Sequence, residues 1–167
     1  EREFECPTGD HPNEITVSAD GSTAFVACAN DNTVSLVDLR GRRTIASVST
    51  AIHPDAPEGS TTNSVAFVPG TSLVLAANAD NNALAVVDVR TPARPSIAGC
   101  IPAGWYPTKV MTLRDGSILV LNGKGGRSLA NPQKQYIGGL FPGSCSFIPF
   151  PSPDALEKHT KQVFANT

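Results

Sequence analysis

The segment LNGKGGRS, residues 121–128, combines glycines with two cations in a pattern that could bind an anion. Successive backbone N–H groups of such a loop can form a concave anion site, and Asn122, Lys124 and Arg127 would add side-chain donors. A nucleotide phosphate loop is excluded, because four residues do not separate the first glycine from the Gly-Lys pair and no Ser or Thr follows the lysine. The sequence leaves open whether this loop binds an anion or packs on a neighbouring domain.

Two adjacent aromatic residues, Trp105 and Tyr106, stand in the stretch AGWYPTKV. Aromatic rings with a polar tip often form binding surfaces. The alternative is that both rings pack against the long segment 125–143. The candidates for ligand binding are therefore Trp105, Tyr106, Asn122, Lys124 and Arg127.

No pattern in the sequence predicts catalysis or a bound metal. Ser144-Cys145-Ser146 lacks a G-x-S-x-G context and has no base placed to activate it. Asp10-His11 and His53-Pro54-Asp55 could each contribute to a metal site, but no metal-ligand spacing supports either. We predict no catalytic residue, no metal ligand and no cofactor. The four cysteines either form two disulfides or act as small buried apolar residues: Cys6, Cys28, Cys100 and Cys145.

Composition narrows the class of protein further. The formal net charge is -2, 17% of residues are charged, and like charges do not cluster, which argues against a nucleic-acid or anionic-membrane surface. No apolar run reaches the length of about 18 residues that a membrane-spanning helix needs. The chain begins Glu1-Arg2-Glu3, so we expect a processed or excised piece of a longer protein.

The elements that would position these residues follow from an internal repeat. Residues 13–40 align with residues 63–90 at a constant offset of 50, and a third copy begins at Thr108. Short apolar runs alternate with turn pairs such as Asp20-Gly21, Gly70-Thr71 and Asp115-Gly116, which close antiparallel hairpins. The predicted strands are 14–18, 23–29, 33–39, 44–50, 64–68, 72–78, 83–89 and 96–101.

Four short antiparallel strands per copy, apolar on both faces, are typical of one β-propeller blade. The sequence therefore predicts an all-β fold: a partial β-propeller of about three four-stranded antiparallel blades with a short C-terminal helix. Asp38 and Asp88 end the third strand of their copies. Each either accepts hydrogen bonds from the following turn or acts as a ligand-binding carboxylate.

The domain organisation follows the repeat. Residues 1–10 are predicted to be the last strand of a preceding blade, and residues 152–167 form a helix that Ser152 caps. The blades are 11–51, 52–104 and 105–151, the last with the insertion 125–143. Three blades cannot close a ring. We therefore expect apolar outer faces, carrying Ile15, Val17, Phe25, Val34 and Leu36 in the first blade and Val110, Leu119, Leu121 and Phe147 in the third.

The pattern ADGSTAFVACANDNTVSLVDL resembles the YVTN (YncE-like) bacterial β-propellers. Residues 104–167, with GWYPT, NGKG and YIGGLFPGS, are similar to the group in which such a propeller precedes an alkaline-phosphatase-superfamily phosphoesterase domain. The GKGGRSLANP stretch is shorter than in that group. The resemblance implies a periplasmic or extracellular bacterial location and a phosphoesterase domain that would begin near Thr167.

The sequence is compatible with two functions. The first is a non-catalytic propeller module for scaffolding or for protein or ligand interaction, a fragment of a larger exported protein. The second is the propeller portion of a metal-dependent phosphoesterase whose catalytic domain lies outside this chain. The expected partners are the remaining blades, supplied by another chain or by self-association, and a neighbouring phosphoesterase domain. Neither nucleic acid nor a membrane span is expected.

Overall fold

A computed structural model describes residues 3–53, 59–126 and 130–166. It contains three antiparallel sheets and one α-helix. The first sheet consists of β1 (Pro12–Val17), β2 (Thr23–Cys28), β3 (Thr33–Asp38) and β4 (Arg43–Ser49). The second consists of β5 (Thr62–Phe67), β6 (Leu73–Asn78), β7 (Ala83–Asp88) and β8 (Ser96–Pro102). The third consists of β9 (Pro107–Thr112), β10 (Ile118–Asn122) and β11 (Ser144–Ile148), followed by α1 (Pro153–Ala165). The eight predicted strands are confirmed to within two residues at each end.

The turns explain why this sequence folds as hairpins. Gly21, Gly70 and Gly116 adopt φ values of 68°, 72° and 84° between the first two strands of each sheet, a region that residues with a Cβ rarely enter. Asn32 and Asn82 also have positive φ values, 54° and 52°, in the turns between the second and third strands of their sheets. These positions match the predicted turn pairs and Asn-rich turns of the repeat.

The carboxylates at the ends of β3 and β7 stabilise the turns that follow them. Asp38 Oδ1 accepts hydrogen bonds from the backbone N–H groups of Arg40, at 3.0 Å, and Gly41, at 2.9 Å. Asp88 Oδ1 accepts one from Arg90 N at 2.9 Å, and the Arg90 side chain lowers the pKa of Asp88. The turn-capping interpretation of these two aspartates is therefore confirmed.

The three sheets pack face to face in sequence order, with their first strands adjacent. The face of the first sheet that meets the second carries Phe25 and Leu36, which are no more than 1% exposed. Phe25 stacks on Phe67 with 5.9 Å between ring centroids. Leu75 and Leu84 of the second sheet are buried in the same way against the third. This arrangement of successive sheets is the one that a β-propeller uses for its blades.

A buried polar cluster joins the first two sheets at one end of their interface. The Asn78 Oδ1 atom accepts hydrogen bonds from the hydroxyls of Thr50 and Thr62, both at 3.0 Å, and its Nδ2 donates to Thr50 O at 2.7 Å. The two hydroxyls lie 2.8 Å apart. All three residues are at most 2% exposed, so the Asn78 amide and the Thr62 hydroxyl depend on the protein for their hydrogen bonds. The Thr50 hydroxyl has a further partner in Asn32 O at 3.0 Å.

The third sheet differs from the predicted four-stranded blade, because within the described ranges it has three strands. Pro149, Pro151 and Pro153 follow β11, and proline cannot supply the N–H that a further ladder needs. The chain turns instead into α1, which Ser152 caps by accepting a hydrogen bond from Ala155 N. The predicted helix is thus confirmed, and it lies against β8 of the second sheet, where Thr160 Oγ1 accepts from Cys100 N at 2.9 Å.

Residues 3–10 precede β1 and run along the first sheet. No strand is assigned among them, and their predicted role as the last strand of a preceding blade remains a prediction. Cys6 packs on the apolar cluster that includes Ala24 and Val26. Thr44 Oγ1 donates a hydrogen bond to Pro7 O, and Gly9 N donates one to Ser35 Oγ. This segment therefore covers part of the face that points away from the second sheet.

All four cysteine thiols are free, so the structure contains no disulfide among them. Cys28 and Cys100 are buried, as the apolar interpretation predicts, and burial raises the pKa of the Cys100 thiol. Cys145 is exposed. Among the described helices, none has the length and apolar character needed to cross a bilayer.

The turn after β1 leads to a testable pH dependence. Asp20 accepts hydrogen bonds from the Ser18 hydroxyl and from the N–H and hydroxyl of Ser22, and these lower its pKa to about 2. The unfolded value is about 3.9, so the ionised carboxylate stabilises the fold above that pH and its contribution is lost as pH falls towards 2. We expect Asp20→Asn to flatten the fall of the urea midpoint between about pH 4 and pH 2. A side-chain carboxyl titration of Asp20 by NMR with a midpoint near 3.9 would contradict this.

Candidate functional site

Two loops at one end of the sheets bring the predicted aromatic and cationic residues together. One loop joins β8 to β9 and contains Trp105 and Tyr106, and the other follows β10 and contains Lys124. Backbone hydrogen bonds hold the loops side by side: Trp105 N donates to Gly125 O at 2.7 Å, Lys124 N to Trp105 O at 3.0 Å, and Gly123 N to Tyr106 O at 2.8 Å. The two loops therefore form one continuous surface.

Tyr106 is held in a backbone conformation that few non-glycine residues adopt. Its φ is 59°, and its N–H donates to Asn82 Oδ1 at 2.9 Å. His11 and Thr61 precede the first strands of the other two sheets, and their φ values are also positive, at 52° and 55°. The strained position is thus part of the repeat, and in the third sheet it presents a tyrosine ring beside the Lys124 loop.

Lys124 places its ammonium group against aromatic rings. The Nζ atom lies 4.2 Å from the centroid of the Tyr106 ring and 6.0 Å from that of Phe141. A cation in this position is attracted by the electron-rich ring faces. Within the described ranges, Lys124 makes no ion pair, so its charge is available to a ligand.

These side chains line a cleft of about 220 Å³ that we call the lysine cleft. Its wall also contains Asp80, whose Oδ2 accepts a hydrogen bond from Thr61 Oγ1 at 2.5 Å. Its described residues therefore offer one cation, one carboxylate and three aromatic rings. Its lining residues are Ala79, Asp80, Asn82, Trp105, Tyr106, Lys124 and Phe141.

The structure places Asn122, another of the predicted ligand residues, outside this cleft. Asn122 is 1% exposed and lies beneath the loops, where its Nδ2 donates to the hydroxyls of Ser144 and Ser146 at 3.2 and 2.9 Å. A Cβ added at Gly104 would come within 3 Å of the Asn122 amide. Any larger residue at position 104 would therefore collide with the Asn122 side chain. Arg127 lies outside the residues that the structure describes.

A second cleft, of about 330 Å³, lies beside the lysine cleft and shares Trp105 and Asn82 with it. We call it the asparagine cleft, because its wall contains Asn81, Asn82 and Asn166. Pro102, Ala103 and Val163 complete it, so it is bounded by the second sheet, the β8–β9 loop and the end of α1. Among the described residues that line it, none has a charged side chain. The two clefts flank the Trp105 side chain, which is 40% exposed.

A polar network on the first strands was not predicted from the sequence. Glu14 of β1 accepts hydrogen bonds from the Ser64 hydroxyl and from Val65 N of β5, and it forms an ion pair with Lys109 of β9. Ser64 Oγ also accepts from Val110 N at 3.0 Å. The signal was available, because Glu14, Ser64 and Lys109 occupy corresponding positions in the three copies. The network links all three sheets rather than lining either cleft.

Histidines and carboxylates do not gather in the described part of the chain into a group of three or more that could hold a metal ion. The His53 ring meets the edge of Phe164 on α1 with 5.7 Å between centroids. His11 lies at the start of β1, and Asp10 Oδ1 accepts a hydrogen bond from its backbone N–H at 2.9 Å. Pro54 and Asp55, which complete the candidate metal-binding segment His53-Pro54-Asp55, lie outside the described residues.

Comparison with known proteins gives no family at the level of sequence. No protein-family model matches the chain, and no curated protein matches it.

Several solved structures share the arrangement of sheets. A putative 6-phosphogluconolactonase from Bacteroides fragilis superposes with a TM-score of 0.62 at 18% identity, over 72% of this chain and 34% of its own. A protein from Lactobacillus plantarum superposes with a TM-score of 0.61 at 19% identity, over 69% of this chain and 35% of its own. The WD40 repeats of RRP9 superpose with a TM-score of 0.56 at 17% identity, over 77% of this chain and 39% of their own.

The chain spans between 34% and 39% of the length of each of these neighbours. Identities below one in five carry information about architecture and none about substrates. The neighbours are propeller-type folds, and the sheet order and face-to-face packing agree with them. The chain is a set of β-propeller blades with one C-terminal helix.

Proposed function

We propose that this chain is a non-catalytic β-propeller module that acts in interaction, and that further blades complete it at both ends. One observation carries the proposal: the outward face of the third sheet repeats a surface that is buried in the first two.

Corresponding pairs of residues occupy the outgoing face of each sheet. Phe25 pairs with Leu36 in the first sheet, and both are buried against the second. Leu75 pairs with Val86 in the second, and both are buried against the third. In the third sheet the pair is Leu119 and Phe147, and Phe147 is 70% exposed. Exposed apolar patches of this kind mark interaction surfaces.

Other apolar side chains extend this patch. Met111 pairs with Leu119, and Leu121 pairs with Cys145, so all of these lie on the same face of the third sheet. Met111 and Leu121 are 50% and 49% exposed. We call this surface the outgoing face, formed by Met111, Leu119, Leu121, Cys145 and Phe147. A blade of the same construction is the partner whose apolar face matches it.

The opposite end of the chain offers a complementary surface. Ile15 and Val17 of β1 are 62% and 42% exposed, whereas Val65 and Phe67 at the corresponding positions of β5 pack in the core between the first two sheets.

Four residues that the sequence placed on outer faces lie elsewhere. The expected placement of Phe25, Val34 and Leu36 on the outer face of the first sheet is wrong, and so is that of Val110 on the outer face of the third. Successive residues of a strand alternate between faces, and these four side chains point into the interfaces between sheets.

Self-association of the purified chain tests the proposal, because exposed blade faces will pair with each other when no other blade is present. We expect sedimentation velocity to show concentration-dependent association at micromolar concentrations. Phe147→Lys combined with Leu121→Lys should abolish it. Tyr136→Lys, which changes an 85% exposed aromatic residue in the insertion, should not. A monodisperse monomer that binds no hydrophobic dye would rule the proposal out.

The resemblance of residues 104–167 supports a second candidate, in which these blades belong to a metal-dependent phosphoesterase with its catalytic domain outside this chain. In that case the loops around Trp105 and Lys124 would contact the neighbouring domain. The sequence downstream of Thr167 in the parent gene discriminates between the two, since a metal-binding hydrolase domain there favours the second. Either protein would act in the bacterial periplasm or outside the cell.

A further inference from the structure

The asparagine cleft contains polar groups that the protein itself leaves without partners. Asn81 Oδ1 is buried and has no hydrogen-bond partner within residues 3–53, 59–126 and 130–166. Leaving such an oxygen unpaired costs about 1–3 kcal/mol, so buried unsatisfied groups are rare and call for an explanation. A ligand that donates a hydrogen bond at this position would provide one.

The neighbouring side chains add complementary donors and acceptors. Asn82 uses its Oδ1 to accept from Tyr106 N and keeps its Nδ2 as a donor. Asn166, at the C-terminal end of α1, bonds through its backbone N–H to Gln162 O and Val163 O, and its side-chain amide adds one acceptor and two donors. The indole N–H of Trp105 adds a further donor. No other part of the described chain brings three amide side chains and an indole to one cleft.

The chemistry of this wall selects a neutral ligand rich in hydroxyl groups. None of the described lining residues has an ionisable side chain. A charged ligand would therefore lose its hydration there without gaining an opposite charge from these residues. Amides pair well with hydroxyls, since each of these groups both donates and accepts. A half-exposed indole offers a flat apolar surface for the C–H face of a sugar ring. The volume of about 330 Å³ lies within the range of small-molecule sites.

We propose that the asparagine cleft is a binding site for a neutral saccharide. The sugar ring packs on the Trp105 indole, a hydroxyl donates to Asn81 Oδ1, and other hydroxyls contact the amides of Asn82 and Asn166. This site is distinct from the lysine cleft on the other side of Trp105, whose Lys124 ammonium suits an anion. It does not depend on how the ring of blades is completed.

Fluorescence provides a direct test, because Trp105 is the single tryptophan of the chain. The probes are cellobiose, maltose and N,N′-diacetylchitobiose, each titrated against the intrinsic emission, with inorganic phosphate titrated in parallel. We expect a saturable change with at least one sugar and none with phosphate. Calorimetry of the same titration gives the dissociation constant independently of the fluorophore.

Variants connect any binding to the cleft. Asn81→Ala and Asn166→Ala should each raise the dissociation constant about tenfold, the effect of one lost hydrogen-bonding group. Asn166 is exposed at the end of α1, so its variant tests the site even if Asn81→Ala folds poorly. Asn30→Ala is the matched control, because Asn30 lies in the corresponding turn of the first sheet and its Nδ2 donates to Asp10.

Three results would overturn the proposal. The first is the absence of a saturable response to all three sugars. The second is equal sugar affinity in Asn166→Ala, Asn30→Ala and the unaltered chain. The third is a response to phosphate alone, which would place binding at Lys124 in the lysine cleft.

Discussion

Phe25→Ala is expected to lower the free energy of unfolding by about 3–5 kcal/mol, which is a large share of the net stability of a small domain. Phe25 is 1% exposed, and its ring stacks on Phe67 across the interface of the first two sheets. Removing it leaves a cavity between two rigid sheets that cannot easily close. Urea unfolding followed by circular dichroism measures the change.

Phe147→Ala is the matched control for this experiment. Phe147 occupies the position in the third sheet that Leu36, the cross-strand partner of Phe25, occupies in the first. Its side chain is 70% exposed, so in the monomer its removal should cost less than about 0.5 kcal/mol. Equal losses for the two variants would contradict the assignment of Phe25 to the interface. The comparison is made at a concentration where the chain is monomeric.

Asn78→Ala is expected to destabilise the chain by about 2–4 kcal/mol, although it removes a polar side chain. The change deletes the Oδ1 atom that accepts from the buried hydroxyls of Thr50 and Thr62, and it deletes the donor to Thr50 O. The Thr50 hydroxyl keeps Asn32 O as an acceptor at 3.0 Å. These groups lie where water has little access, so they would remain partly unpaired. Equilibrium unfolding in urea again provides the measurement.

Asn13→Ala serves as the control, because Asn13 is exposed and its amide makes one hydrogen bond to the described residues, to Asn63 Oδ1 at 3.0 Å. We expect a change of less than about 0.5 kcal/mol. A loss at Asn78 no greater than that at Asn13 would show that the cluster between the sheets is not structural. Thr62→Val, which removes one hydroxyl of the cluster, should give an intermediate value.

The repeat made the strands predictable, because the same turn chemistry and the same apolar spacing occur twice without a gap. Asp38 and Asp88 were interpreted correctly for the same reason: a carboxylate before a tight turn has backbone donors within reach. Alternation along a strand defines two faces, but it does not say which neighbour each face meets. The orientation of Phe25 and Leu36 was therefore decided by packing, and the sequence-based placement failed there.

The candidate site was predictable only where its residues are close in sequence or share a repeat position. Trp105, Tyr106 and Lys124 lie on adjoining loops, and the structure brings them together. Asp80 and Phe141 reach the lysine cleft from distant parts of the chain, and no local pattern marks them. The buried position of Asn122 had a signal, since it ends its strand as Asn78 does in the second sheet.

The attachment of α1 to β8 has a consequence for the order in which the protein can fold. Each sheet is built from one continuous stretch of chain, so the sheets can form one after another as the chain emerges from the ribosome. The edge of β8 is different, because Thr160 and Leu156 of α1 cover it at Gly99 and Cys100. That edge stays open to pairing with other nascent chains until the helix has been synthesised, roughly sixty residues later. The last segment to be made thus ends the period in which the second sheet is vulnerable to aggregation.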